Sequence, residues 1–178
     1  LNFNYIKNIE ILKINSNNFN NDFIFNTPDM KPIMKNLKEL NIMCDNLNKD
    51  IIIHNYTNLH TFVFNSHSFN SKIDLKNLKN LKHIDLMLNS FDNDLNLTNF
   101  KNLKHIDLML NNFNNDLDFT DSVNLEVLFL PNKFNKKINL LNNKKLKELI
   151  IRDSFNQYID TTNLINLEVL KFGKSFNN

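Results

Sequence analysis

A chain of 178 residues, 42% of them hydrophobic, can bury one sizeable core, which excludes an intrinsically disordered protein. Its 21 basic and 19 acidic residues nearly cancel, which argues against nucleic acid or an anionic membrane as the main partner. One cysteine excludes an internal disulfide framework and a zinc site built on cysteines, and no apolar run approaches the length of a membrane span. The chain begins with leucine and stops inside a repeat, so we expect it to be a fragment of a longer protein.

The sequence is built from repeated units. The decapeptide NLKHIDLMLN occupies 80–89 and returns at 102–111, which is 22 residues later. Aligned on this decapeptide, the chain divides into eight units, most of them 21 or 22 residues long, and each opens on an apolar stretch. These stretches are 9–14, 37–42, 59–64, 81–86, 103–108, 125–130, 146–151 and 167–172.

Each opening stretch has the alternation of a β-strand. In the fourth unit, Ile84 and Leu86 point to one side, and His83, Asp85 and Met87 point to the other. One such strand cannot bury its apolar side alone, so the strands of successive units are predicted to stack as a parallel sheet. The segment of each unit that returns to the next strand, such as 72–80, has only nine or ten residues. That is too few for an ordinary helix with two turns and predicts extended or 3₁₀ return segments.

The first repeat is interrupted. It exceeds its neighbours by six residues and contains NTPDMKP at 26–32, where two prolines flank an aspartate. We interpret this segment as a looped insertion within a single domain that spans 1–178.

A large apolar residue followed by Asn or Asp recurs after each strand. The apolar residue is predicted to turn inward, and the polar residue to bond backbone groups at a corner of the coil. Stacked in register, the polar residues would form a structural ladder of Asn20, Asn48, Asn70, Asp92, Asn114, Asn135, Asn156 and Asn177.

These units resemble leucine-rich repeats. The stretch from Leu81 to Phe91 follows the pattern L-x-x-L-x-L-x-x-N-x-L, and the stretch from Leu103 to Phe113 does the same. The later segments DSFNQYID at 153–160 and LEVLKFGKSFNN at 167–178 are similar to FNIP repeats, a relative of leucine-rich repeats found in social amoebae and giant viruses. The resemblance implies a mainly β, right-handed, leucine-rich-repeat-like solenoid of about eight units of 21–22 residues, with a parallel sheet and little helix.

The resemblance also implies a function in protein binding. We expect a non-catalytic scaffold that is cytoplasmic, needs no cofactor, and holds a protein partner of unknown identity. One alternative is the substrate-recognition arm of an F-box ubiquitin-ligase adaptor, which would bring ubiquitin-ligase components as partners if an F-box lies outside this chain. A second alternative is a secreted or surface adhesin, which a signal peptide and occupied glycans would indicate.

The outward face of the sheet is the predicted binding surface. Its apolar members stand among polar neighbours, as in many protein interfaces. The candidate residues are Asn41, Met43, Val63, Asn65, His83, Asp85, Met87, His105, Asp107, Met109, Val127, Phe129, Ile150 and Lys171.

The repeated His-Asp pair suggests a rival hypothesis. His83, Asp85, His105 and Asp107 would stack on adjacent strands about 4.8 Å apart, where they could hold a divalent metal or act as acid and base. Because the two decapeptides are identical at core and surface positions alike, we favour a recent duplication. An open sheet face also lacks the closed pocket that catalysis needs. We therefore expect neither a metal site nor a catalytic residue.

Overall fold

The computed structural model describes Phe3 and residues 5–67, 69–87, 95–113 and 115–177. These ranges contain twelve strands and no helix, which confirms the predicted mainly β solenoid with a parallel sheet. No described segment therefore forms a helix that is long and apolar enough to cross a membrane. The strands are β1 (Ile11–Asn15), β2 (Glu39–Met43), β3 (Ile51–His54), β4 (Thr61–Asn65), β5 (Ile73–Lys76), β6 (His83–Asp85), β7 (His105–Asp107), β8 (Leu117–Asp118), β9 (Val127–Phe129), β10 (Ile138–Asn139), β11 (Glu148–Ile150) and β12 (Val169–Lys171).

One strand from each predicted unit joins an eight-stranded sheet. Its order is β1-β2-β4-β6-β7-β9-β11-β12, and all neighbours run parallel. The register follows the repeat, so that His83 lies opposite His105 and Ile84 lies opposite Ile106. Equivalent residues therefore form rows across the sheet.

The inward rows form the core. Leu40, Phe62, Ile84, Leu128 and Leu149 are fully buried, as the alternation predicts. Burying a side chain of this size stabilises the fold by about 1.5–3 kcal/mol. Because each coil covers only its neighbours, these contributions accumulate along the stack.

Phenylalanines from the apolar-Asn pairs also enter the core. Phe134 and Phe155 are fully buried, with ring centroids 6.1 Å apart and planes at 6°. Phe155 stacks in turn on Phe176, at 6.2 Å and 15°. The predicted inward stacking is thus confirmed in the last units.

The return segments are extended, as one of the two predicted forms. They contribute two separate parallel pairs, β3 with β5 and β8 with β10. Ile51 and Ile53 of β3 are fully buried in the same core as the large sheet. The solenoid therefore closes over its core with short strands on this side.

The insertion packs against the coil that follows it. Asn26 and Pro32 form an antiparallel bridge, and the Asn26 amide pairs with both backbone groups of His54: its Nδ2 donates to the carbonyl at 2.8 Å, and its Oδ1 accepts from the N–H at 3.1 Å. The buried Tyr56 hydroxyl donates to the Phe25 carbonyl at 2.5 Å. Burial raises the pKa of Tyr56 to about 12, so this hydroxyl keeps its proton.

Asparagine also makes a repeated tight turn. Asn55, Asn77 and Asn99 have φ angles of 63°, 58° and 67°, and they follow one another at intervals of 22 residues. This left-handed conformation is strained for most residues, and asparagine tolerates it best after glycine. In a chain with one glycine, asparagine takes the place that glycine usually fills.

That single glycine, Gly173, packs where no side chain fits. A methyl group at this position would overlap backbone atoms of Asp153 and Arg152 in the preceding coil. We expect Gly173→Ala to push the last coil away and to destabilise it locally by about 1–3 kcal/mol. Hydrogen exchange should then accelerate for amides of 169–176 and stay unchanged before 130. Ser175→Ala, which adds no atom beside that backbone, is the control, and equal protection in both variants would contradict the expectation.

Candidate binding face

The structure gathers the predicted binding residues on the outward face of the large sheet. They lie in register across seven strands, from Asn41 and Met43 on β2 to Lys171 on β12. Met87 and Met109 lie two residues beyond β6 and β7 and continue the row that Met43 and Asn65 begin. The face is thus one continuous surface about 29 Å long, given six strand spacings of about 4.8 Å.

Exposure differs among these residues. Met43 is 44% exposed and Lys171 is also exposed, whereas Asp107 retains only 8% of its surface. The other candidates are half-buried. The expectation of an exposed Asp107 is therefore wrong, since this side chain lies between Asp85 on one strand and Phe129 on the next.

The side chains of His83 and His105, the first residues of β6 and β7, stack on the outward face. The ring centroids of His83 and His105 lie 4.4 Å apart with planes at 17°, and those of His105 and Phe129 lie 5.6 Å apart with planes at 77°, as in an edge-to-face contact. Burial lowers the pKa of both imidazoles, and the charge of His83 lowers that of His105 further. The neutral form of both rings is therefore favoured, and they act as a flat aromatic surface.

The two aspartates take part in backbone turns. Asp85 Oδ1 accepts from the Met87 N–H at 2.9 Å, and Asp107 Oδ1 accepts from the Met109 N–H at 2.9 Å. Burial raises the pKa of Asp107 to about 6. The hydrogen bond from the Met109 N–H opposes this rise, the Asp85 charge adds to it, and the Arg152 charge opposes it least. A carboxylate in this position is costly because it is poorly hydrated.

Ion pairs border the face along its edge. Glu126 accepts from Lys104 at 2.7 Å and from Lys147 at 3.2 Å, and these bonds lower its pKa. Lys13 and Glu39 pair at 2.9 Å near the first strand. The centre of the face is thus apolar and aromatic with two carboxylates, while its edge is charged and solvated.

The described residues offer no metal-holding group. Within 5–67, 69–87, 95–113 and 115–177, no three His, Cys, Asp or Glu side chains are placed to share an ion. His83 lies beside His105 and Asp85 beside Asp107, and Oδ1 of each aspartate accepts a hydrogen bond from the backbone of the following turn. The expectation that the chain has no metal site stays a prediction.

Comparisons with known proteins found that the chain matches no protein-family model, no curated protein and no solved structure. The resemblance to leucine-rich and FNIP repeats therefore stays a prediction, which depends on the repeated residues alone.

The predicted asparagine ladder lies along one corner of the coils. Asn20 Oδ1 accepts from the Asn48 N–H at 3.2 Å, and Asn48 Oδ1 accepts from the Asn70 N–H at 2.9 Å. At the other end, Asn135 Oδ1 accepts from Asn156 at 2.8 Å, and Asn156 Oδ1 accepts from Asn177 at 2.9 Å. The two remaining members, Asp92 and Asn114, lie outside the described residues.

A second ladder was missed in the sequence. The asparagine before the first leucine of a unit donates its Nδ2 to a backbone carbonyl in the preceding coil, as Asn80 does to Thr57 and Asn102 does to Lys79, both at 2.8 Å. The signal was the recurrent pair Asn-Leu, which we interpreted only through its leucine. The members of this ladder are Asn58, Asn80, Asn102, Asn124 and Asn166.

Proposed function

We propose that the outward face of the large sheet binds another protein, and that the chain is an interaction scaffold of the leucine-rich-repeat type. The supporting observation is a group of half-buried apolar side chains in two rows of the outward sheet face: Val63, Phe129 and Ile150 in one row, and Met87 and Met109 in the other. When a partner covers the water-exposed surface of large apolar side chains, the complex is stabilised.

The distribution of aromatic and charged residues on the face also fits a protein partner. Specific interfaces cover about 800 Å² per partner, with an apolar centre and a polar rim. Here the stacked His83 and His105 rings and Phe129 lie near the centre, and Lys104, Glu126 and their neighbours lie at the edge. Methionine side chains adapt to varied surfaces, which suits Met87 and Met109 to such contacts.

Site-specific cross-linking would identify the partner. A photoreactive phenylalanine analogue in place of Phe129 should cross-link to it, while the same analogue in place of Leu141 should not. Leu141 is 56% exposed and lies outside the large sheet, so it is a matched control for apolar exposure. Cross-linking from position 141 but not from position 129 would overturn the proposal.

Affinity for the purified partner gives the quantitative test. We expect Met87→Lys combined with Met109→Lys to weaken binding by about ten-fold or more, because two charges would be buried at the centre of the interface. Leu141→Lys should change the affinity by less than about two-fold, as expected outside an interface. Circular dichroism melts must be alike for all three proteins, and equal affinities would contradict the proposed site.

A further inference from the structure

The short sheet on the other side of the core ends at an open strand edge. β5 pairs with β3 on one side, and in the described residues no strand pairs with its other side. By the 22-residue repeat, the chain at 95–98 should supply that strand. Instead, Thr98 turns back on its own segment: its N–H and its Oγ1 both donate to Asn96 Oδ1, at 2.9 Å and 2.6 Å.

A cleft of about 810 Å³ lies beside this edge. Its walls are the segment 72–79, which includes β5, and residues of the next coil between Asn96 and Asn102. Its floor includes the buried side chains of Leu75, Leu78 and Phe100. The cleft thus combines an unpaired strand edge with an apolar floor.

The described residues of the cleft lining carry more positive than negative charge. They include Lys72, Lys76, Lys79 and Lys101 and one carboxylate, Asp74. That carboxylate is already satisfied: Lys72 and Lys76 approach it at 2.9 Å and 3.3 Å, and His54 Nε2 lies 3.1 Å away. Burial opposes its ionisation, but these contacts prevail and lower its pKa.

β5 directs apolar side chains towards the core and charged side chains to its other side. Ile73 and Leu75 are buried in the core, while the Lys72 and Lys76 side chains, 59% and 64% exposed, reach into solvent. A strand added to this edge would place alternate side chains against the core and against the lysines.

We propose that this cleft binds an extended peptide segment of a partner protein, in which acidic and apolar residues alternate, as an added strand on β5. Edge addition of this kind takes its affinity from main-chain hydrogen bonds and its specificity from alternate side chains. The four residues of β5 would pair with a segment of about four to six residues. This site is separate from the proposed binding face and does not depend on it.

The lysines of the cleft disfavour a second copy of this chain as the occupant. A second copy of the chain would bring the same lysines to the shared edge, and like charges directly opposite each other are destabilising. Lysines on an edge strand are a common means of preventing such self-pairing. The same charge favours an acidic strand.

Fluorescence polarisation with labelled octapeptides would test the proposal. The probe is an alternating Glu-Val peptide, and the comparison peptides are the Lys-Val equivalent and a Glu-Val peptide with N-methylated backbone. We expect only the first peptide to bind, because the second has the wrong charge and the third cannot donate backbone hydrogen bonds. Equal binding of the N-methylated peptide, or no binding of the first peptide up to millimolar concentration, would overturn the proposal.

Charge-reversal variants locate the site. Lys79→Glu combined with Lys101→Glu should weaken binding of the Glu-Val peptide by about ten-fold at low salt. Lys144→Glu is the matched control, since Lys144 occupies the equivalent repeat position and its carbonyl likewise accepts an asparagine Nδ2, but it lies outside the cleft. Equal loss in the control would show non-specific attraction and reject the site. Competition by inorganic phosphate at equal concentration would likewise show an anion site rather than strand addition.

Discussion

Replacing Asn111 with aspartate is expected to lower the free energy of unfolding by about 3–5 kcal/mol, as for an uncompensated buried charge. Asn111 is 1% exposed, and its Nδ2 donates to the carbonyls of Leu86 at 2.7 Å and Leu108 at 3.0 Å. Aspartate would place a charged acceptor against these acceptors. Leu86 belongs to the preceding coil, so the bond to its carbonyl joins one coil to the next, whereas the bond to Leu108 lies within the coil of Asn111.

Two further variants separate charge from the lost hydrogen bonds. Asn111→Ala leaves the carbonyls without their donor and should cost about 1–3 kcal/mol. Asn112→Asp introduces the same charge at an exposed neighbour and should change stability by less than about 0.5 kcal/mol. Urea denaturation at neutral pH measures the free energy of unfolding of all three variants. Equal midpoints for the aspartate variants at 111 and 112 would contradict this account of the coil-to-coil bonds.

The repeat spacing was enough to predict the large sheet. A 22-residue period places His105 opposite His83 and Ile106 opposite Ile84, and hydrophobic alternation then decides which residue turns inward. These are local properties of each unit and its immediate neighbours. They do not depend on the details of turns or loops, so the sequence alone reveals them.

Identical sequences nevertheless acquired different environments. Asp85 and Asp107 occupy the same place in the same decapeptide, yet Asp85 is half-buried and Asp107 is buried. The difference arises from the following strand, which presents Asp107 beside Asp85 but Phe129 beside Asp107. A motif cannot carry this information, because it belongs to the neighbouring coil.

The repeat pattern of the sequence likewise did not predict the open edge of β5. Leu95 and Leu97 continue the apolar pattern of Ile73 and Leu75, which predicts the same pairing in each coil. The local turn at Asn96 and Thr98 competes with that pairing. Such competition between a side chain and a neighbouring strand depends on small free-energy differences that a repeat pattern does not show.

Replacing Asp107 with asparagine is expected to stabilise the protein at pH 7.5 by up to about 3 kcal/mol, and to change little at pH 4. The folded-state pKa of Asp107 is raised from 3.8 to about 6, so the folded chain keeps a proton that the unfolded chain releases between these values. Stability from the protonated form is present below pH 4 and is lost as the pH rises through 6. Asparagine keeps the Oδ1 acceptor for the Met109 N–H without a charge.

The matched control is Asp118→Asn. Asp118 Oδ1 also accepts from the N–H two residues ahead, that of Thr120 at 2.9 Å, but the side chain is exposed. It should shift stability by less than about 0.5 kcal/mol at either pH. Urea midpoints at pH 4 and pH 7.5 decide the matter: a gain for Asp107→Asn that is the same at both values would contradict a titration of Asp107.

The histidine pair gives the opposite pH dependence. Because burial lowers the pKa of His83 and His105, the folded chain binds fewer protons than the unfolded chain below pH 6.5, and stability falls as the pH falls through this region. In the wild-type chain, protonation of Asp107 offsets part of this loss. Asp107→Asn removes the offset, so this variant should lose stability more steeply than wild type between pH 6.5 and pH 5. Changing both histidines to glutamine should have the opposite effect, so that this variant loses less stability than wild type over the same pH range. In this variant the contribution of Asp107 remains and that of the histidines is gone.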